Sequence, residues 1–411
     1  LIDARKGLIK VTNRHAAKSL TDYKISLKVL ENGSEILNRE IPSITLEAGK
    51  DTVISVLSVL PKQKTGKEYF LNISFSLKTD LSWAKAGHEV ASNQFALSGL
   101  PTSEIKSVSN EKLVVHQDGN LFLVQGKGFQ LTFDKKNGAL SSYISGGKEQ
   151  ILSPLLPNFT RPLTNNDRRG WKPNEMLKEW YDSKPQLVSF TINKEPSGLV
   201  KVESLYELIE HKAKVQVSYT INVKGVVKVD YALKVAEGLP NIPKVGMTCG
   251  IADDHRQISW YGRDLHENYV DRRYGFDVGI FSLPIAQFME PYIMPQENGN
   301  RTDVRWMYLS NTEQQGLLVV ADSLLSMSAW PYNEAAYKVA KHWNELKESG
   351  YVTLNIDLIQ MGVGGNDTWS KVAAPLEKYQ IKAKNYAYRF YLCPVKMKKE
   401  QVAKDWQDLK F

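Results

Sequence analysis

The side chains able to do chemistry gather in four stretches. In NIDLIQMGVGGNDTWS, Asn355 to Ser370, a short apolar strand-like run breaks into Gly362, Gly364 and Gly365. Asn366, Asp367 and Trp369 follow. Glycine lets a loop turn sharply and approach a neighbour closely. An indole on such a loop has two uses: a platform for the flat face of a ligand, or packing at a domain interface. Asn366 and Asp367 shape loops through side-chain to backbone hydrogen bonds, with direct ligand contact as the alternative.

The other stretches are NFTRPLTNND (Asn158 to Asp167), WYGRDLHENYVDRRYG (Trp260 to Gly275) and EPYIMPQENGNRTDVRW (Glu290 to Trp306). Arg161, Asn166 and Asp167 read as a loop lining a pocket. For Arg161, an ion pair holding that loop to a sheet is the preferred reading. Glu267, Asn268, Tyr269, Asp271 and Arg272 read as a polar knot with structural duty, because buried charges must be paired. His266 beside Glu267 offers proton exchange near neutral pH. Neighbours in a strand point to opposite faces, however, so the two are poorly placed to straddle one substrate. Glu297 reads as an acceptor for backbone, next to the turn Asn298-Gly299. None of the seven His shows a metal-ligand spacing. Cys249 and Cys393 lie in apolar strand-like runs and read as small buried hydrophobes.

The elements that must hold these residues are strands. Residues 1–97 contain short alternating runs, among them YKISLKVLENG, SEILNREI and EYFLNISFSLKT, with turns at Asn32-Gly33 and Ala48-Gly49. About seven strands in such a length is the pattern of an immunoglobulin-like β-sandwich. Residues 98–112 are polar and aperiodic and read as a linker. From 113 to 395 the β pattern resumes without βαβ alternation, predicting one large antiparallel two-sheet sandwich. Asp118-Gly119 and Asn137-Gly138 mark hairpins there, and Trp171 to Ser183 has a helical stretch with Pro173 near its start. Residues 396–411 form a helical tail with Val402, Trp406 and Leu409 on one face. The chain is therefore all-β.

A formal net charge of +8 is scattered among acidic residues, with one dense run, Lys396 to Lys404, that a solvated helix explains. This excludes a nucleic-acid-binding face, and no apolar run approaches the roughly 18 residues that span a membrane. Leu1 opens the sequence with no charged-then-apolar leader ahead of it, so the chain reads as a stretch of something longer, with its compartment unknown.

The motifs FTRPLTNND, WYGRDLHENYVDR, PYIMPQENG and MGVGGNDTW, in this order and spacing, resemble the last domain of the glycoside hydrolase family 2 β-galactosidases. SWAKAGHEVA, Ser82 to Ala91, resembles the end of the immunoglobulin-like module that precedes it. The resemblance implies a supersandwich of the galactose-mutarotase-like type and retaining hydrolysis of terminal β-galactosides such as lactose. It implies that Trp369 is a platform for the leaving-group sugar, with Asn366 and Asp367 beside it. Retention needs two carboxyl groups roughly 5–5.5 Å apart. The family carries both in an upstream barrel domain, so the expectation is that this chain alone is inactive, with the barrel and the β-galactoside as its partners and surface for a homo-oligomer. Asn333-Glu334 and Asn344-Glu345 are similar to an acid/base Asn-Glu pair but read as exposed turns. The resemblance also implies magnesium and sodium ions for the complete enzyme, with most of their ligands in the barrel, and none is assigned to this stretch. Asp264-Leu265 stands where the family has Gly-Pro, Val270 where it has Pro, and Thr368 where it has Ser, which puts the path of the Asp264 loop in question. The reading from another class is a free-standing carbohydrate-binding or mutarotase-like module.

Overall fold

A computed structural model describes residues 2, 3, 6–100 and 112–410. Most of the stretch read as a linker, residues 101–111, lies outside the described residues. The chain divides into two compact units, residues 1–103 with 277–280, and residues 104–276 with 281–411.

Unit 1 is a small sandwich of six strands among the described residues, one fewer than the spacing predicts. They are β1 (Leu8–Thr12), β2 (Tyr23–Glu31), β3 (Ser34–Ile41), β4 (Asp51–Ser55), β5 (Tyr69–Leu77) and β6 (Glu89–Ala96). β1 pairs with β4, and the other sheet runs β3-β2-β5-β6. Alternation decides the inner face. Ile25, Leu27 and Val29 of β2 are fully buried against Ile9 and Val11 of β1 and Leu71 and Ile73 of β5. Each such side chain contributes about 1.5–3 kcal/mol relative to exposure. Asn32 and Gly33 take φ of 48° and 83°. That left-handed pair matches the twist of the β2–β3 hairpin, as the dipeptide predicts.

Unit 2 holds two antiparallel sheets. The smaller contains β7 (Val114–Asp118), β8 (Leu121–Gly126), β9 (Phe129–Asp134), β10 (Ala139–Ser145) and β11 (Lys148–Glu149) in reverse order. The larger has twelve strands: β12 (Ile151–Asn158), β13 (Gln186–Lys194), β14 (Val200–Leu208), β15 (Ala213–Ile221), β16 (Val227–Val235), β17 (Lys244–Ala252), β18 (Gln257–Arg263), β19 (Val278–Pro284), β20 (Arg301–Ser310), β21 (Gln315–Trp330), β22 (Tyr351–Gln360) and β23 (Tyr386–Lys396). Its main path is β12-β17-β22-β21-β23-β16-β15-β14-β13. The meander β14-β15-β16 keeps one unbroken register, from Val200 opposite Ile221 to Leu208 opposite Ala213. Val200, Val202, Tyr206 and Leu208 point inward from β14. β21 is 16 residues long. Its first half pairs with β23 and its second with β22, so a single strand joins the two halves of the sheet.

Short helices punctuate the loops. The Trp171 to Ser183 segment holds α1 (Pro173–Met176) and α2 (Lys178–Asp182), interrupted at Leu177, after a wide turn over Asp167–Trp171. α3 (Ile285–Phe288) precedes β20, and α4 (Glu334–Val339) follows β21. The tail helix α5 (Lys399–Asp405) buries Val402, with Trp406 just after it, and leaves Leu409 half-buried. Cys249 and Cys393 are both buried and unpaired. Among the described residues no helix is long and apolar enough to cross a membrane.

Candidate functional site

Trp369 sits on the connection from β22 to β23 and is 75% exposed. Its loop is tied down on both sides. Asp271 Oδ2 accepts from the amides of Val363 (2.9 Å) and Gly364 (2.8 Å). Arg161 donates to the carbonyls of Met361 (3.0 Å) and Gly362 (3.1 Å). Two of the polar stretches found in the sequence therefore converge on the root of the fourth. Close approach requires the glycines. A Cβ on Gly362 would lie 2.6 Å from Asp271 Oδ2, and one on Gly365 would lie 2.3 Å from the carbonyl of Ala373.

Beyond the root, Asp367 organises the tip. Its Oδ1 accepts from the amides of Trp369 (3.2 Å) and Ser370 (3.0 Å), and its Oδ2 accepts from the Ser370 hydroxyl (2.6 Å). The Ser370 hydroxyl, then its amide and that of Trp369, hold the Asp367 carboxyl below the usual carboxylate range. Asn366 is exposed, and its amide donates to the Val372 carbonyl (2.8 Å). Asp367 thus shapes the loop, as its residue type predicts.

Arg161 and Asp167 do not line an open pocket. Both are buried and lie 3.3 Å apart as an ion pair. Asp167 also accepts from the Thr164 amide (2.9 Å) and the Trp171 indole N–H (2.9 Å). Burial alone would lower the Arg161 pKa, but Asp167 and nearby groups leave it raised, so the guanidinium stays charged. The physical reason is bonding capacity: the pair binds each other and buried groups, among them the Thr164 amide and the carbonyls of Met361 and Gly362, that would otherwise be unsatisfied. Asn166 is half-buried at the start of the wide turn.

The polar knot is held by many hydrogen bonds, with Asp271 turned to the Trp369 loop. Glu267 pairs with Arg272, accepts from the Tyr292 hydroxyl, and accepts from the Gly299 amide (2.8 Å). Asn268 uses both ends of its side chain. It donates to the carbonyls of Arg263 (3.1 Å) and His266 (3.0 Å) and accepts from the Thr302 amide (2.8 Å) and hydroxyl (2.6 Å). Asp264 takes φ of 40°, and its carboxylate accepts from the His266 amide (3.0 Å). Asp tolerates the left-handed region that glycine would otherwise supply. His266 is exposed while Glu267 is buried, so the two do not face one substrate.

Two readings are corrected. Glu297 has a side-chain partner, not a backbone one: it accepts from the Tyr269 hydroxyl (3.4 Å). Glu334 is not on an exposed turn. Asn333 caps α4 by accepting from the Ala336 amide, and Glu334 accepts from the Thr160 hydroxyl (2.9 Å) and pairs with Lys338 (3.3 Å).

The sequence reading missed a buried charged group inside the large sheet. Lys244 Nζ donates to Asn355 Oδ1 (3.1 Å) and lies 3.7 Å from Asp357. Burial pushes the Asp357 carboxyl up to about 7, against the pull of Lys244. Burial also pushes Glu297 up to about 7, against Lys244 and Arg161. A signal existed: Asn355 and Asp357 alternate with apolar residues in β22. It predicts a wet face, yet both faces of this strand are covered. Glu297 and Asp357 are 3% and 0% exposed. Among the described residues no group of three or more His, Cys, Asp or Glu is placed to hold a metal ion.

The chain is similar to known proteins over most of its length. Residues 125–392 match the family described as β-galactosidase small chain, and residues 9–98 match the one described as β-galactosidase domain 4. A β-galactosidase of Priestia megaterium is 30% identical over 397 residues, which are 96% of this chain and 38% of that protein. One of Psychromonas ingrahamii is 28% identical over 410 residues, covering 95% of this chain and 39% of that protein. A galactose mutarotase related enzyme of Lactobacillus acidophilus aligns with 68% of this chain and 98% of its own, at 8% identity and a TM-score of 0.38. The chain thus spans 38% and 39% of the length of these two β-galactosidases.

Proposed function

The chain belongs to the β-galactosidase small-chain family, and from that premise we propose that it supplies one wall of a β-galactoside pocket whose reacting carboxyls lie in a separate barrel domain. One observation carries this reading: a 75% exposed indole on a loop bonded at four consecutive residues, Met361 to Gly364. A large apolar ring held in water by a fixed loop lacks cover in the chain itself. Its face suits the C–H face of a sugar; aromatic pairs, taken as the scale for such stacking, add on the order of 0.5–1.5 kcal/mol beyond area burial.

In this reading the complete protein cleaves terminal β-galactosides with retention, through a covalent glycosyl intermediate formed on one carboxyl while another donates the proton. The burial of Glu297 and Asp357 supports placing both of those carboxyls elsewhere. Trp369 orients the leaving-group sugar, and Asp367, Arg161 and Asp271 position the loop. Asn366, exposed on the same loop, is the residue available for a hydroxyl contact. No magnesium or sodium ligand is assigned to this stretch.

The test is Trp369→Ala in the complete enzyme. It should lower kcat/KM for lactose more than for an aryl galactoside, whose leaving group is not a sugar. A loss of 1.4 kcal/mol of stacking would be about tenfold. Equal losses on the two substrates would refute the platform.

A further inference from the structure

The turn between β17 and β18 carries His255, which is fully buried. Both of its ring nitrogens face oxygen. Nδ1 lies 2.5 Å from Asp254 Oδ1, and Nε2 lies 2.9 Å from Gln150 Oε1. Gln150 stands between β11 of the smaller sheet and β12 of the larger, so this contact ties the turn to the junction of the two sheets.

Neighbouring bonds fix both oxygens as acceptors. The Gln150 side-chain amide donates to the Lys148 carbonyl (3.1 Å). Turning that side chain over would set oxygen against oxygen there. Asp254 Oδ2 accepts from the Asn311 side-chain amide (3.1 Å). The orientation of Asn311 is set in turn, because its Oδ1 accepts from the amides of Glu313 (3.0 Å) and Gln315 (3.1 Å). Burial raises the Asp254 carboxyl, but His255 and Asn311 outweigh it and hold it below the usual carboxylate range. A neutral imidazole offers one donor and one acceptor. Between two acceptors it would leave a lone pair against one of them. Only the imidazolium donates to both.

We propose that His255 is a proton-operated clasp between the two sheets of unit 2: with both ring nitrogens protonated it holds Gln150 to Asp254, and with one proton lost it lets Gln150 go. The proton leaves from Nε2, because Nδ1–H keeps the carboxylate as its acceptor. The charged groups acting on the ring are Asp254 beside it and Lys148 on β11, itself paired with Glu313 (2.8 Å). Asp253 and Glu348 are occupied by Arg256, and Glu149 by three backbone amides. Burial and Lys148 lower the imidazole pKa and prevail over Asp254 taken alone. Gln150, a second acceptor buried with the ring, reverses that balance, since a hydrogen bond to the charged form favours it. A histidine whose pKa rises on folding contributes stability that is full below about pH 6.5 and is lost as pH rises through the folded value. The clasp therefore opens on the alkaline side.

Deuterium exchange at the imidazole Cε1–H of His255, followed by mass spectrometry in the whole protein, reads the midpoint of this titration. It should lie above the ordinary value of about 6.5. Gln150→Leu removes the second acceptor and keeps Asp254. Its ring should bind the proton at least about tenfold more weakly, with a midpoint below about 6.5. Backbone exchange reads the clasp itself. The Gln150 amide donates to the Tyr143 carbonyl, and the Ala252 amide donates to the Gln150 carbonyl. Their protection, measured against amides of β14 and β15 in the same sample, should fall about tenfold as pH rises through the wild-type midpoint. In Gln150→Leu it should not respond. A wild-type midpoint below about 6.5 would overturn the proposal. So would equal midpoints in the two proteins, or wild-type protection at Gln150 and Ala252 that ignores pH.

Discussion

At the residue scale, Asp271 is the most informative side chain. One carboxylate oxygen holds two consecutive amides 92 and 93 positions away in sequence. Hydrogen bonds to a charged acceptor contribute roughly 1.5–3 kcal/mol each. Asp271→Ala is expected to release the loop root, speeding amide exchange at Val363 and Gly364 while the sheet stays folded. Unchanged exchange at both would mean the loop holds itself. Glu297 and Asp357 yield a second prediction. Burial raises both to about 7 from 4.5 and 3.8, so the folded protein keeps protons that the unfolded chain releases between about pH 4 and 7. A native state holding more protons loses stability as pH rises, at about 1.4 kcal/mol per pH unit per group. Urea denaturation of wild type and Glu297→Gln should show wild type losing ground to the variant across that window, with no further change above it. A difference that grows in the other direction would contradict the buried, protonated Glu297.

At the element scale, the Trp369 loop owes its shape to contacts more than to flexibility. Gly365 lies against the Ala373 backbone, which cannot swing aside as a side chain can. Gly365→Ala should therefore displace the segment and cost on the order of 1–3 kcal/mol, the range for overpacking. In the complete enzyme it should also raise KM for lactose in the manner of Trp369→Ala. A Gly365→Ala variant with native stability and kinetics would show that the close approach has slack. The Asp264 turn makes the complementary point. It keeps a left-handed residue without a glycine, because an aspartate can bond its own loop there.

For the whole molecule, the expectation is division of labour. The two raised carboxyls, Glu297 and Asp357, are buried and the exposed aromatic lies on a loop, so these groups are not brought together in unit 2. Purified chain of this length, incubated with an aryl galactoside, should release no galactose above background. Turnover by the isolated chain would overturn the proposal that its reacting carboxyls lie elsewhere.

Much of this was legible in the residues themselves. Strand periodicity from Val200 to Val235 and the Asn32-Gly33 hairpin are local properties, set by side-chain alternation and by what each turn residue allows. The sequence by itself determined an all-β chain and left the indole of Trp369 either a platform or an interface ring. Only the tertiary structure decided that Asp271 and Arg161 clasp that loop, and that Asn355 and Asp357 face inward although their alternation reads as a wet face. Those outcomes depend on which distant strands come to lie over one another. Neighbouring residues fix a strand's two faces, but they do not fix whether the second face meets water or another layer of the fold.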